Sequence, residues 1–419
     1  MPLPKLLALA ACLALMTLAG APAMAQTRAA VEASFRQWVE GVRKEALAEG
    51  VKAQTFDSEM DSVRLDWSLP DLVPPGKKKE SDAAKVSQAE FGSPGAYFEP
   101  GMLQRRIRDG RQELANWGKT LAAIEKRYGV PGRVLLAIWA RESAYGKASI
   151  PHDALTVLAT QAFMGRRPET FRPQLIAALK LLQDDRIPRK ILKSSWAGAM
   201  GHMQMLPAVV LKYGIDFDGD GHPDIWSSVP DALATAANFL RQKGWKPGAP
   251  WGYEVAVPAR VACSLEGPHQ GRTFAEWQDL GLERTGGRKW PAGRAGEEGF
   301  LLMPAGRFGP AFLVTGNFYA LKEYNTSDLY ALYIGHLADR MGEDRGFEGR
   351  WDKVPTYTRG QVKALQETLS AHGYNIGETL DGLIGFRTRV AVGLYQEKTG
   401  LPVNCWPGPE TMARAKREG

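Results

Sequence analysis

The residue best placed to do chemistry is Glu142, in the stretch Ile138-Trp139-Ala140-Arg141-Glu142-Ser143-Ala144-Tyr145-Gly146. On a helix Glu142 lies one turn beyond Ile138 and two beyond Leu135, so it continues an apolar stripe and points where water is scarce. Such surroundings disfavour the carboxylate and raise its pKa, which suits a general acid working near neutral pH. The competing reading is a helix-end glutamate that swings to solvent or pairs with Arg141, since amphipathic helices often carry a charge at the edge of their apolar face.

Two further constellations carry chemistry. In Ser194-Ser195-Trp196-Ala197-Gly198-Ala199-Met200-Gly201-His202-Met203-Gln204-Met205-Leu206-Pro207, small residues let a bulky polymer approach the backbone, and Ser195 and Gln204 offer a hydroxyl and an amide for sugar hydrogen bonds. In Asp216-Phe217-Asp218-Gly219-Asp220-Gly221-His222, carboxylates alternate and a glycine stands sixth, as at the start of a calcium loop. Ser227 occupies the place of the usual closing glutamate, so a metal-free Asp/Gly turn remains open.

These groups need helices to hold them. Pro131 can start a first helical turn, Val134, Leu135, Ile138 and Trp139 recur at helical spacing, and Gly146 can stop the helix. Similar patterns predict helices over 102–129, 155–164, 171–182, 230–243 and 329–341, preceded by a helical pattern at Phe35, Trp38 and Val42. The stretch from Pro74 to Glu80 reads as a solvated loop. Between Trp245 and Thr315 the pattern shifts to alternation (Tyr253 to Val257), short apolar runs (300–303 and 312–315) and dense glycine and proline, which predicts a small β subdomain. Residues 342–359 are polar without apolar periodicity and suit a linker. Beyond it Val362 to Leu369 forms a short amphipathic helix, Gly373-Tyr374 closes it, Asp381-Gly382-Leu383-Ile384-Gly385 makes a turn, and 388–399 reads as a second helix.

The paired segments around Glu142 and Ser195 resemble the lytic murein transglycosylases of the membrane-bound B type. In that family a Glu-Ser-x-Tyr/Phe-Gly helix end carries the catalytic acid, and an Ala-Gly-Ala-Met-Gly-x-x-Gln-x-x-Pro loop lines the cleft. The resemblance runs from about Phe91 to Arg340 and takes in 158–163, Arg166-Arg167, Asn317-Phe318 and Tyr324-Asn325-Thr326-Ser327. It implies a lysozyme-like lobe and one-glutamate chemistry. Glu142 protonates the glycosidic oxygen, the N-acetyl group of muramic acid stabilises the cation, and the same carboxylate takes the C6 hydroxyl proton as a 1,6-anhydro ring closes. Carried over by position, Ser195 and Gln204 hold the sugars flanking the cut, while Tyr324, Tyr330 and Tyr97 line the cleft, core packing being the alternative for each aromatic. Phe239 stands where some relatives have tyrosine, so a hydrogen bond there is lost. Relatives close a longer acidic loop with an aspartate before the next helix. This implies a structural Ca2+ held by Asp216, Asp218, Asp220 and Asp231 with the carbonyl of His222, and no cofactor for catalysis.

Residues 360–415 resemble a three-helix peptidoglycan-binding module of the Leu-Gln-x-x-Leu…Asp-Gly-x-x-Gly…Thr-x-x-Ala-Val type, departing where Asn404-Cys405 replaces a second Asp-Gly. The expected fold is therefore mainly α with a small β subdomain: a lysozyme-like transglycosylase lobe (26–341), the linker, and the helical module, arranged so that chemistry and wall targeting separate.

Composition bounds the setting. Lys5, the apolar run 6–18 and Ala23-Met24-Ala25 read as a signal peptide cleaved after Ala25, giving a periplasmic protein; a lipobox at Leu9 to Cys12 is the less favoured alternative. Cys263 and Cys405 remain. They could pair or stay free, since they fall in separate predicted domains. The net charge of +7 favours an anionic partner. Without a basic run or nucleic-acid motif, peptidoglycan fits better than nucleic acid. The chain reads as a monomer, and partner synthases or amidases leave no readable motif. No Gly-x-Ser-x-Gly elbow or His-Glu-x-x-His is present, which argues against serine hydrolases and zinc amidases. The rivals are a hydrolytic muramidase, with Asp153 or Glu169 as second carboxylate, and a wall-binding protein with an inert cleft.

Overall fold

The structure is a computed structural model that describes residues 27–76, 89–183, 187–343 and 345–418. The expected signal peptide, the lipobox and most of the loop after Gly76 lie outside these residues. Among the described residues no helix is long and apolar enough to cross a membrane.

The main lobe is built on the helices Pro100–Tyr128, Gly132–Ser143, Val229–Gln242 and Asp328–Gly342, which bury Ile107, Leu135, Ile138, Leu233, Ile334 and Leu337 in one apolar core. Beside it pack Ala154–Met164 and Pro168–Leu182, joined by the N-terminal Arg28–Ala48 through Phe35 edge-on to Phe163 and the Arg172–Glu45 ion pair at 2.6 Å. Short helices that the sequence pattern does not flag, Pro207–Tyr213 and Gly316–Lys322, fill the connections.

The predicted β subdomain is a five-stranded antiparallel sheet in the order Arg272–Thr273, Glu298–Leu302, Ala311–Val314, Gly252–Ala256, Glu283–Arg284. Its central strand is buried at all four positions, which explains why it reads as an apolar run rather than an alternation. Phe312 and Val314 belong to the main helical core, whereas Leu313 and Ala311 join Val255, Cys263, Phe274 and Trp277 in a second core.

The C-terminal module consists of Arg359–Ala371, Phe386–Thr399 and Pro409–Glu418 around Leu365, Leu369, Val392 and Tyr395. Its two turns are held alike. Gln366 accepts from Gly382 N–H at 2.8 Å and donates to Asp381, and Gln396 accepts from Cys405 N–H at 3.0 Å and donates to Asn404. Cys405 takes the left-handed conformation (φ 57°) that Gly382 takes at 70°, so the departure from the Asp-Gly pattern keeps the turn.

The sequence suggests a free tether, but the structure differs. Residues of the linker are laid onto the lobe: Trp351 stacks on Phe98 at 5.2 Å, Phe347 stacks on His336, and Glu254 accepts from the N–H groups of Glu348 and Gly349. Cys263 and Cys405 form a disulfide between the β subdomain and the module. Beside it Arg389 of the module, 1% exposed, makes a two-pronged pair with Glu266 at 2.6 and 3.0 Å. Trp406, Val354, Val362, Ile384 and Ala305 form a shared apolar cluster across the same junction. Segments distant in sequence create this junction, so no local pattern announces it.

Candidate active site

The helix Gly132–Ser143 follows an extended Pro131 and carries Leu135, Leu136, Ile138 and Trp139 into the core, each no more than 3% exposed. It stops because Ala144 and Tyr145 turn left-handed (φ 50° and 60°) ahead of Gly146. Two such residues store roughly 1 kcal/mol or more each. Tyr145 offsets this by burying its ring edge-on to Trp139 and donating its hydroxyl to the Arg106 carbonyl at 2.7 Å. The reversal thus begins two residues before the expected stop, and Gly146 provides clearance, since a Cβ there would meet the His202 ring at 2.5 Å.

Glu142 sits in the last turn of this helix, half-buried as the apolar stripe predicts. The Tyr330 hydroxyl donates to its Oε1 at 2.5 Å. Burial pushes the Glu142 carboxyl above the usual carboxylate range, while the Tyr330 hydrogen bond and the nearby Arg141 and Arg106 charges pull it partly back. The Arg141–Glu142 pairing of the competing reading is not among the hydrogen bonds of the described residues: Arg141 donates instead to the Tyr97 hydroxyl at 3.0 Å and lies over the Tyr97 ring at 5.0 Å. Tyr97 therefore stands beside the acid, half-buried under a cation.

Tyr330, expected on the cleft wall, is 2% exposed and acts on Glu142 itself. Its ring stacks on Tyr324 at 9° between planes, and the Tyr324 hydroxyl donates to the Met203 carbonyl. Phe239 packs edge-on to Tyr324 at 5.5 Å, which confirms that this position contributes a ring contact and no hydroxyl.

The Ser195 to Met205 loop is tied to the acid helix by Ser143, whose hydroxyl donates to the His202 carbonyl at 2.6 Å. Bridges pair Ser194 with Met200 and Met200 with Met205, folding the loop on itself. Gly198 (φ 78°) is required where a Cβ would strike Leu158 at 2.4 Å. The Ser195 oxygen accepts from the N–H groups of Ala197 and Ala199 at 3.3 and 3.2 Å, which leaves its own O–H to donate. Gln204, left-handed at φ 48°, donates its amide to the Gly201 carbonyl at 3.0 Å, which leaves the amide oxygen as acceptor. Asn317, part of the resemblance, is structural: its side chain bonds Lys246 and Ala249 backbone groups.

Of the rival second carboxylates, one is committed elsewhere and the other is exposed. Burial would raise Asp153, but it caps Thr156 N–H and receives a two-pronged bond from Arg189 at 2.8 Å, which holds it below its ordinary range. Glu169 is exposed in the first turn of its helix. The strongest charges on Glu142 are both cations.

Asp216, Asp218, Asp220 and Asp231 each bring a carboxylate oxygen within 4.8 Å of the others. Asp231, fully buried, accepts from the N–H groups of Phe217, Asp218 and Asp224, while Asp216 accepts from Gly219 and Gly221. The His222 ring lies 3.2 Å from Asp220. Four hard anionic oxygens at this spacing fit a calcium-sized cation.

Sequence reading missed three residues, one facing the acid and two at the start of the helix that carries Tyr330. Arg106 faces Glu142 with a buried Nη1 that has no hydrogen-bond partner. Glu90 accepts from Asp328 N–H at 2.9 Å at the start of the Tyr330 helix. Arg389 reaches Asp328 at 3.3 Å from the module. Each comes from a distant segment with no motif of its own.

Residues 34–339 match the transglycosylase SLT domain family, and 358–414 match a peptidoglycan binding domain family. Membrane-bound lytic murein transglycosylase B of Escherichia coli (strain K12) is 30% identical over 217 residues, a match spanning 51% of this chain and 58% of that enzyme. The crystal structure of SltB3 from Pseudomonas aeruginosa with NAG-anhNAM-pentapeptide is 39% identical, with a TM-score of 0.80 over 91% of this chain and 99% of that one. The complex of SltB3 with NAG-NAM-pentapeptide gives 41% identity and a TM-score of 0.79 over the same shares.

Proposed function

The chain belongs to the transglycosylase SLT family, and from that premise we propose that it is a lytic transglycosylase of peptidoglycan, cutting the bond between N-acetylmuramic acid and N-acetylglucosamine with Glu142 as acid and then base. The observation that carries this is a single half-buried carboxyl, raised above its ordinary pKa, with a phenol on one oxygen and cations as its strongest charged neighbours. Protonated Glu142 gives its proton to the glycosidic oxygen, which leaves as the N-acetylglucosamine 4-hydroxyl. The carboxylate that remains is favoured by Tyr330, Arg141 and Arg106. It then removes the C6 hydroxyl proton as that oxygen closes on C1, which restores the acid and consumes no water. An anhydro-muramyl ligand bound by the 39% identical SltB3 accords with this reaction. Ser195 and Gln204 supply one donor and one acceptor for the flanking sugars, and Tyr97 supplies a wall.

The companion readings follow the same family. The protein works on the cell wall in the periplasm after export, and the C-terminal module binds the same polymer. The acidic loop holds a structural Ca2+, so excess calcium raises the melting temperature against chelator by mass action, and Asp218→Ala abolishes that gain. An equal melting temperature in both conditions would leave a metal-free turn.

Glu142→Gln tests the assignment. The amide keeps the shape but has no proton to give, so activity should fall ~10² to 10⁴-fold while sedimentation with peptidoglycan persists. A variant keeping more than about a hundredth of the wild-type rate would remove Glu142 from the role.

A further inference from the structure

We propose that Arg389, in the C-terminal module, is a positioning residue for the catalytic acid: it fixes the start of the Asp328–Gly342 helix and, through that helix, the Tyr330 hydroxyl that holds Glu142. The inference rests on Glu142 being the acid.

Arg389 has every nitrogen engaged. Nε and Nη2 donate to Glu266 at 3.0 and 2.6 Å, Nη2 also reaches Asp328 Oδ2 at 3.3 Å, and Nη1 donates to the Ile384 carbonyl at 3.1 Å. Asp328 is the first residue of its helix, two before Tyr330. Glu90 meets the same helix end, accepting from Asp328 N–H and from the Ser327 hydroxyl that caps Tyr330 N–H. Three carboxylates thus converge here, from Glu90, Glu266 and Asp328, and the Asp328 charge raises the cost of ionising the other two. Arg389 and Lys322, at 2.5 Å from Asp328 Oδ1, are the cations that hold them together.

Arg389 anchors Asp328, and Asp328 sits at the start of the Tyr330 helix, so removing either the fork or the carboxylate it grips frees that helix end. A hydrogen bond of 2.5 Å between Tyr330 and Glu142 tolerates shifts of only tenths of an ångström before it weakens. The other groups facing Glu142 are Tyr324 beside Tyr330, Arg141 on its own helix, Arg106 on Pro100–Tyr128, and Tyr97. None of them contacts Arg389 in the network described, so the expected change is confined to Tyr330.

The sign follows from the chemistry. The Tyr330 bond favours ionised Glu142, and the enzyme starts its cycle with Glu142 protonated. Weakening that bond raises the Glu142 pKa further and moves the alkaline limb of the kcat profile to higher pH. The test uses the full chain on a soluble glycan oligomer and compares Arg389→Lys, Tyr330→Phe and the double variant. Tyr330→Phe should move the limb up by about one pH unit, a charged hydrogen bond's worth. Arg389→Lys keeps the charge but loses the fork, so it should move the limb the same way by less and lower kcat with KM unchanged. The double variant should go no further than Tyr330→Phe alone. Asp328→Asn, which removes the charge that Arg389 grips, should repeat the Arg389→Lys shift if the latter fails to fold. Cys263→Ser with Cys405→Ser loosens the module without touching the network and should lower the melting temperature while leaving the limb in place.

A folded Arg389→Lys enzyme, or Asp328→Asn in its stead, whose limb matches wild type while Tyr330→Phe is shifted would overturn the proposal, as would an additive double variant. An active Glu142→Gln enzyme would instead overturn the acid assignment beneath it.

Discussion

Glu142 and Glu266 are both carboxyls in surroundings that push their pKa up, yet one is placed to move a proton and the other to hold two lobes together. The partner makes the difference. Glu266, 2% exposed, is pushed up by burial and pulled back by the Arg389 guanidinium and by Met303 N–H at 3.0 Å, a matched ion opposing the burial. Glu142 faces a phenol, which orients it and leaves its proton exchangeable. A buried acid becomes catalytic when burial is opposed weakly, and structural when burial is opposed by a matched ion.

Cutting the chain at Gly349 is the harshest way to break the comparison. It removes Arg389, Cys405 and Trp406 together and takes from Glu266 its ion. The sequence pattern alone predicts that such a truncation keeps its chemistry on soluble glycan. The junction predicts that the lobe loses at least the ~3–5 kcal/mol of a broken buried ion pair, read by urea unfolding, and loses activity on soluble fragments with it.

Glu266→Gln sharpens it with a single atom change. Stability should fall by about 3–5 kcal/mol because buried Arg389 loses its two-pronged carboxylate and keeps only the longer contact to Asp328. Glu142→Gln should show the reverse, a lost reaction with unfolding unchanged or improved, since it removes a desolvated acid. Equal stability losses in the two variants would mean that both carboxyls are structural.

Opening the disulfide by Cys263→Ser with Cys405→Ser should cost a smaller ~2–4 kcal/mol, because the bond restrains a long loop in the unfolded chain. A reductant should lower the wild-type melting temperature to that of the double variant and leave the double variant unmoved.

The catalytic region was legible where the chemistry is local. Glu142, the helix that carries it and the Ser195 to Met205 loop lie in contiguous segments whose spacing encodes their geometry, and the apolar run 312–315 announced the strand at 311–314. Tyr330 was visible as an aromatic, but its bond to Glu142 depends on helix packing across 188 residues. The junction was not legible. Arg389 sits inside a helix whose pattern explains only the module's core, Cys405 looked like a lapse in an Asp-Gly turn, and 342–359 lacked the periodicity of a packed segment because it lies on the lobe through single aromatics, Phe347 and Trp351.

The most direct measurement is the mass of the products released from purified peptidoglycan in H2(18)O. One carboxyl acting alone, with no water in the reaction, predicts muropeptides ending in 1,6-anhydromuramic acid, one water lighter than reducing ends and free of (18)O. Reducing ends carrying (18)O at the anomeric carbon would contradict this and make Glu142 the acid of a two-carboxylate muramidase.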